Sequence, residues 1–79
     1  MNWKDRITVD PAILVGKPII KGTRISVELI LERVADGWTT EDILTAYTHI
    51  TREDVLAALN FAAELFREEK FVAVAKVMA

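Results

Sequence analysis

Apolar side chains recur at helical spacing in three segments of this chain, and each segment follows a helix-start signal. Ahead of the first segment, Ser26 is a typical N-cap, and Gly37 lies after it, where a left-handed C-cap residue belongs. The second segment begins after Thr39 and the third after Thr51. These signals predict helices over residues 27–36, 40–47 and 52–68.

The starts of the second and third predicted helices share one pattern. Residues 38–44 and 50–56 both read apolar–Thr–x–Glu–Asp–aliphatic–Leu. In each copy we expect the threonine hydroxyl to accept from a free backbone N–H and the aspartate to reach back to the cap, as in a capping box. A short helix, a turn and a second helix form the layout of a helix-turn-helix. The alternative is three generic antiparallel helices.

The N-terminal third carries strand and turn signals. Ile7-Thr8-Val9 alternates and ends at the turn pair Asp10-Pro11, and residues 18–21 form a second apolar run after the Gly16-Lys17-Pro18 turn. We therefore predict a mainly α fold, a trihelical helix-turn-helix-like domain with a short two-stranded N-terminal β element. The domain is expected to span residues 1–69. An apolar C-terminal tail, 70–79, follows it, and its pattern predicts no conformation.

The third predicted helix is apolar over about 220° of its circumference, which is too wide for one neighbouring element. We expect the first two helices to cover the stripe that contains Val55, Leu59 and Phe66. A second stripe, which contains Phe61 and Leu65, then lacks cover inside one chain. The tail folding back over that stripe is the alternative. The sequence thus predicts a homodimer or a partner-bound subunit, with an interface formed by Phe61, Leu65, Phe71, Val74 and Met78.

Charge and composition narrow the candidate chemistry. The 79 residues carry a net charge of −2 and no cysteine, which excludes disulfides and thiolate metal sites. Because His49 is the only histidine, we expect no metal and no cofactor. Neither a signal peptide nor a membrane-spanning run is evident, so a soluble cytoplasmic protein is expected. The acidic pairs at the predicted helix starts are explained by capping, so we expect no enzyme.

Basic residues are concentrated near the N-terminus. Residues 1–33 hold six basic and four acidic side chains, while residues 34–79 hold four basic and eight acidic ones. Glu53 and Asp54 at the start of the third helix repel phosphate, so we expect DNA binding to be weak and salt-sensitive at most. The candidate DNA contacts are Lys17, Lys21, Arg24 and Arg52. For Arg24, a phosphate, a partner carboxylate and a structural clamp within the fold all stay open.

The segment from Ile7 to Ala63 resembles the domain-of-unknown-function-433 family. The resemblance depends on residues 10–11, on the Gly-Lys-Pro-Ile-Ile-Lys-Gly-Thr-Arg-Ile string at 16–25, and on scattered matches between 37 and 59. It implies a compact DNA-binding-like fold and no catalytic residues. It also implies an antitoxin that neutralises a toxin of PIN-like ribonuclease type, with the DNA of its own operon as a second candidate ligand. A homodimeric adaptor domain without DNA binding is the alternative.

Overall fold

The structure is a computed structural model, and it describes residues 2–67. Within these residues the chain forms two short strands, three α-helices and two single-turn 3-10 helices, Trp3–Asp5 and Leu14–Gly16. The strands are β1 (Ile7–Val9) and β2 (Pro18–Ile20). The helices are α1 (Val27–Ala35), α2 (Thr40–Ala46) and α3 (Arg52–Arg67). The predicted fold class is confirmed, and each helix begins at the predicted residue.

The helix starts use the predicted caps. Ser26 Oγ accepts from the Leu29 backbone N–H at 2.9 Å. At the start of α2, Thr39 Oγ1 accepts from the Asp42 N–H at 3.1 Å and Asp42 Oδ2 accepts from the Thr39 N–H at 2.8 Å. Both bonds recur at the start of α3, between Thr51 and Asp54. The two copies of the sequence pattern therefore form the same kind of cap. Each cap satisfies N–H groups that have no partner inside the helix.

β1 and β2 pair antiparallel, with Ile7 opposite Ile20 and Val9 opposite Pro18. The predicted second strand is one residue too long, because β2 ends at Ile20. Lys21 already belongs to the turn into α1, although its N–H still donates to the Arg6 carbonyl at 2.8 Å. The sheet thereby brings the N-terminal segment alongside the helices.

Branched aliphatic side chains from every strand and helix meet in one core. Ile20, Ile30, Ile43 and Val55 are almost completely buried, one each from β2, α1, α2 and α3. Burial of such a side chain contributes about 1.5–3 kcal/mol, so this cluster is the main stabilising element of so small a domain.

The face of α3 that points into the core differs from the predicted one. Phe66, which belongs to the stripe that the first two helices were expected to cover, is 60% exposed. Ala58, which lies on the same side of the helix as Phe61 and Leu65, is fully buried. Phe61 packs edge-on against Trp3, with ring centroids 4.8 Å apart. The prediction that Phe61 lacks cover inside one chain is therefore wrong. The reason is that the N-terminal segment, and not only α1 and α2, packs along α3.

Of the other predicted interface residues, the structure describes only Leu65. Leu65 is exposed near the end of α3. Phe71, Val74 and Met78, and with them the 70–79 tail, lie outside the described residues. No helix in the described part is both long and apolar enough to cross a membrane.

Candidate partner-binding surface

Two of the four candidate DNA contacts are paired with acidic residues of the same chain. Lys17 Nζ lies 2.9 Å from Glu28 Oε1, and this hydrogen bond, with the charge of Glu28, raises the pKa of Lys17 above its ordinary 10.5. Arg52 at the start of α3 is paired with Glu41 in the first turn of α2. These two cations are therefore partly neutralised before any external anion approaches.

The other two candidates, Lys21 and Arg24, are exposed in the turn between β2 and α1. Within residues 2–67 no acidic side chain forms an ion pair with either of them. Arg24 also makes no hydrogen bond that would identify it as a clamp on the described backbone. Its guanidinium is available to a carboxylate or a phosphate from outside this part of the chain.

Arg24 borders a groove of about 650 Å³ that separates the β2–α1 turn from the α2–α3 turn. Ile13, Ile25 and Tyr47 supply apolar surface, while Arg24 and His49 are the basic residues that line it. No acidic residue lines this groove. We call it the Arg24 groove, and it is lined by Ile13, by residues 22–25 and by residues 46–49.

Local hydrogen bonds hold the first wall of the Arg24 groove. Gly22 has φ +81°, a left-handed conformation that glycine adopts without strain. Thr23 Oγ1 donates to the Ile20 carbonyl at 2.8 Å and accepts from the Ile25 N–H at 3.0 Å. These bonds make the turn compact and leave the Arg24 side chain at its surface.

Tyr47 anchors the second wall. Its hydroxyl accepts from Arg33 Nε at 3.3 Å, and its ring stacks on Trp38 with centroids 6.5 Å apart. The hydrogen bond to Tyr47 raises the pKa of Arg33 above its ordinary value. The α2–α3 turn is therefore fixed to α1, and the Arg24 groove has two ordered sides.

A second groove, of about 430 Å³, lies on the other side of Arg24. Leu14, Val15 and Leu29 contribute apolar surface to it, and Lys17, Glu28 and Glu32 supply charged groups of both signs. Arg24 lines both grooves, so the two lie next to each other at this residue. Sequence analysis singled out Arg24, but it did not predict either groove, since each is formed by segments far apart in the chain.

The loop before β2 has an unusual backbone. Leu14, Val15 and Gly16 have φ values of +49°, +57° and +77°, so three consecutive residues are left-handed. Such a conformation costs an L-residue about 1–2 kcal/mol, and glycine is the usual occupant. Val15 is also 95% exposed. The sequence predicted a turn at Gly16, but nothing in it indicated left-handed backbone at the two residues before.

In the part of the chain that the structure describes, no three or more His, Asp or Glu side chains are grouped so that they could hold a metal ion. Asp42 and Asp54 are engaged in capping hydrogen bonds. At the Arg24 groove, the surface combines apolar contact with the positive charge of Arg24.

Comparison with known proteins identifies the family. No curated protein matches the sequence. The chain is similar to a solved structure, the crystal structure of a DUF433 member protein from Anabaena variabilis ATCC 29413. The two are 26% identical with a TM-score of 0.73, over 91% of this chain and 70% of that one. The family described as "Protein of unknown function (DUF433)" matches residues 7–62. The resemblance seen in the sequence is thereby confirmed, and this chain belongs to the DUF433 family.

Proposed function

We propose that this chain is an antitoxin-like protein that binds and neutralises a toxin of PIN-like ribonuclease type, and that the toxin docks on the Arg24 groove. The observation that carries the proposal is the composition of this groove. It combines apolar surface with Arg24 and His49 and has no acidic lining residue, although the chain as a whole has a net charge of −2. Such a function places the protein in the cytoplasm.

The chemistry of the groove favours a protein partner. Apolar clefts with a few well-placed polar groups bind side chains or small ligands, and a partner carboxylate can form a charge-assisted hydrogen bond with a guanidinium. The unpaired Arg24 beside Ile25 offers this combination. A partner segment with apolar side chains and one or two acidic residues would complement it.

DNA of the protein's own operon is proposed only as a weak, salt-sensitive ligand. Each phosphate contact needs a basic side chain, and Lys17 and Arg52 are already paired with acidic residues. Glu53 and Asp54 add negative charge at the start of α3, where a recognition helix usually offers basic or amide side chains. Few cations are left to neutralise phosphates.

The neighbouring gene supplies the direct test. The purified full chain would be titrated into the PIN-like ribonuclease encoded beside it, with binding followed by calorimetry and ribonuclease activity measured in parallel. We expect a complex and loss of ribonuclease activity. Arg24→Glu should weaken binding by about tenfold or more, since it replaces an attractive charge with a repulsive one at the interface.

Arg67→Glu is the matched control, because Arg67 is exposed at the far end of α3 and the charge change is the same. It should bind like the wild type. A genome without such a neighbouring gene, or a ribonuclease that stays active with excess wild-type chain, would contradict the antitoxin proposal. Equal weakening by both variants would show that only net charge matters.

Operon DNA can be tested separately by fluorescence anisotropy over a range of salt concentrations. We expect weak binding that falls steeply as salt is raised. Tight binding that is unaffected by Arg52→Ala would place the DNA surface elsewhere.

A second candidate function is a homodimeric interaction module without DNA or toxin. The exposure of Leu56 and Leu65 on α3 favours it. Light scattering of wild type, Leu56→Glu and Leu65→Glu at micromolar concentration would decide it. Phe61→Asp is a poor probe here, because Phe61 packs on Trp3 inside the chain and its loss would damage the fold. A folded wild-type monomer would contradict this candidate.

A further inference from the structure

We propose that Val15 is an apolar anchor that inserts into an apolar pocket of the partner protein, and that the left-handed loop exists to present it. This inference rests on the proposed function, since it needs a protein partner. It goes further by naming a second contact point and the side-chain chemistry that the partner must offer.

The fold gives no reason for a valine at this position. Val15 is 95% exposed, so its side chain buries almost nothing against the described part of the chain. Its φ of +57° and ψ of +36° are left-handed, a conformation that is a true outlier for a β-branched residue. Asparagine or glycine would adopt the same backbone with less strain. Stability alone therefore disfavours the residue that is present.

The loop is ordered by its own hydrogen bonds. The Gly16 N–H donates to the Ile13 carbonyl at 3.1 Å, and the Lys17 N–H donates to the Leu14 carbonyl at 3.2 Å. At the start of the loop, the Asp10 side chain accepts from the Ala12 N–H at 2.9 Å. Because the tip is held in place before binding, less conformational entropy is lost when it docks.

The position of Val15 connects it to the Arg24 groove. Val15 and Arg24 both line the second groove, together with Glu28 and Glu32, and Arg24 also lines the first. A partner that places a carboxylate on Arg24 therefore lies beside the Val15 tip. A small apolar pocket flanked by an acidic residue is the complementary surface. The cost of the left-handed backbone at Val15 is then offset by burial of its side chain in the complex.

Two substitutions at Val15 separate the effect of the backbone strain on stability from the effect of the apolar side chain on binding. Val15→Asn relieves the strain and removes the apolar side chain, whereas Val15→Thr keeps the β-branched shape and replaces a methyl group by a hydroxyl. We expect Val15→Asn to raise the midpoint of thermal unfolding of the full chain by about 4 °C or more. In calorimetry with the PIN-like ribonuclease of the neighbouring gene, we expect both variants to weaken binding by about tenfold.

Val34→Thr is the control, because Val34 is another exposed valine but lies in α1 with ordinary helical backbone and lines neither groove. It should bind like the wild type. A more stable Val15→Asn variant that binds as tightly as the wild type would overturn the proposal. So would a fall in its unfolding temperature, since the strain premise would then be wrong.

The outcome also distinguishes this inference from the proposed function. If Arg24→Glu weakens the complex and the Val15 variants do not, the anchor is wrong and the antitoxin-like function stands. If the wild-type chain does not bind the ribonuclease, both proposals fail together.

Discussion

The first turns of α2 and α3 have the same sequence pattern and the same capping geometry, but they are embedded differently. At α2, Asp42 is exposed and bonds only to the cap residue Thr39. At α3, Asp54 bonds to the cap residue Thr51 through one oxygen at 2.9 Å and to Arg6 through the other at 3.0 Å. The second capping box is thus also the point where the N-terminal segment is tied to the helices.

The difference shows that the contribution of a capping motif to stability depends on the contacts around it and not on the motif alone. The exposed Asp42 exchanges hydrogen bonds with water at little cost, whereas the side chain of Asp54 is only 13% exposed and has two partners. An aspartate that is partly buried between two donors is more expensive to remove than one at the surface. Four experiments, each with its own set of variants, test this comparison.

The largest expected effect is the contrast between the two aspartates. Asp54→Ala should lower the free energy of unfolding by about 2 kcal/mol, because it removes a cap and leaves Arg6 without its partner. Asp42→Ala removes a cap alone and should cost about 1 kcal/mol. Urea melts of both variants measure the difference. Equal losses would show that the Arg6 contact contributes nothing.

The threonines should behave alike. Thr39→Ala and Thr51→Ala are each expected to lower the free energy of unfolding by about 1 kcal/mol, the usual contribution of a threonine N-cap. Thr→Ser at the same positions keeps the hydroxyl and serves as the control. Denaturant midpoints that do not move in either alanine variant would mean that these hydroxyls are not caps in solution.

A double-mutant cycle isolates the tertiary contact. Arg6→Gln combined with Asp54→Asn should give a coupling free energy of about 1 kcal/mol, reduced by the partial exposure of Arg6. The same cycle between Arg6 and Asp42 should give a coupling within about 0.5 kcal/mol of zero, because the two groups are not in contact. A large coupling in the second cycle would contradict the structure.

The smallest expected effect concerns the exposed ion pair that joins the two helix starts. Arg52→Gln and Glu41→Gln should each change the free energy of unfolding by less than about 0.5 kcal/mol, since water and salt screen a surface pair. Melts in low and high salt measure it. A loss as large as that of a threonine cap would mean that the pair contributes more than its exposure suggests.

Sequence reasoning predicted the helices better than it predicted their contacts. The caps at Ser26, Thr39 and Thr51 were found because each cap and its partner lie three residues apart. The face of α3 was assigned wrongly because an amphipathic helix with a wide apolar arc can present more than one face to the core. Trp3 and Arg6 determine which face of α3 is buried, but nothing in the sequence around them predicted a contact with α3.

For the candidate site, too, single residues were predicted from the sequence but the contacts between distant segments were not. Arg24 was identified from the sequence as a candidate contact, and the structure leaves it exposed in the turn after Gly22. Its grooves were not foreseen, since residues 22–25 and 46–49 meet only in the folded chain. The left-handed backbone at Val15 was also missed, because a β-branched residue rarely adopts it.

By itself, the sequence determined where each helix begins and where the chain turns, because caps and glycines act on backbone groups within a few residues. Only the tertiary structure decided which face of α3 is buried and which cations remain free. The Arg6–Asp54 pair joins residues 48 apart, and the Trp3–Glu64 contact joins residues 61 apart. Contacts over such separations depend on how all the elements pack together, so no local pattern records them.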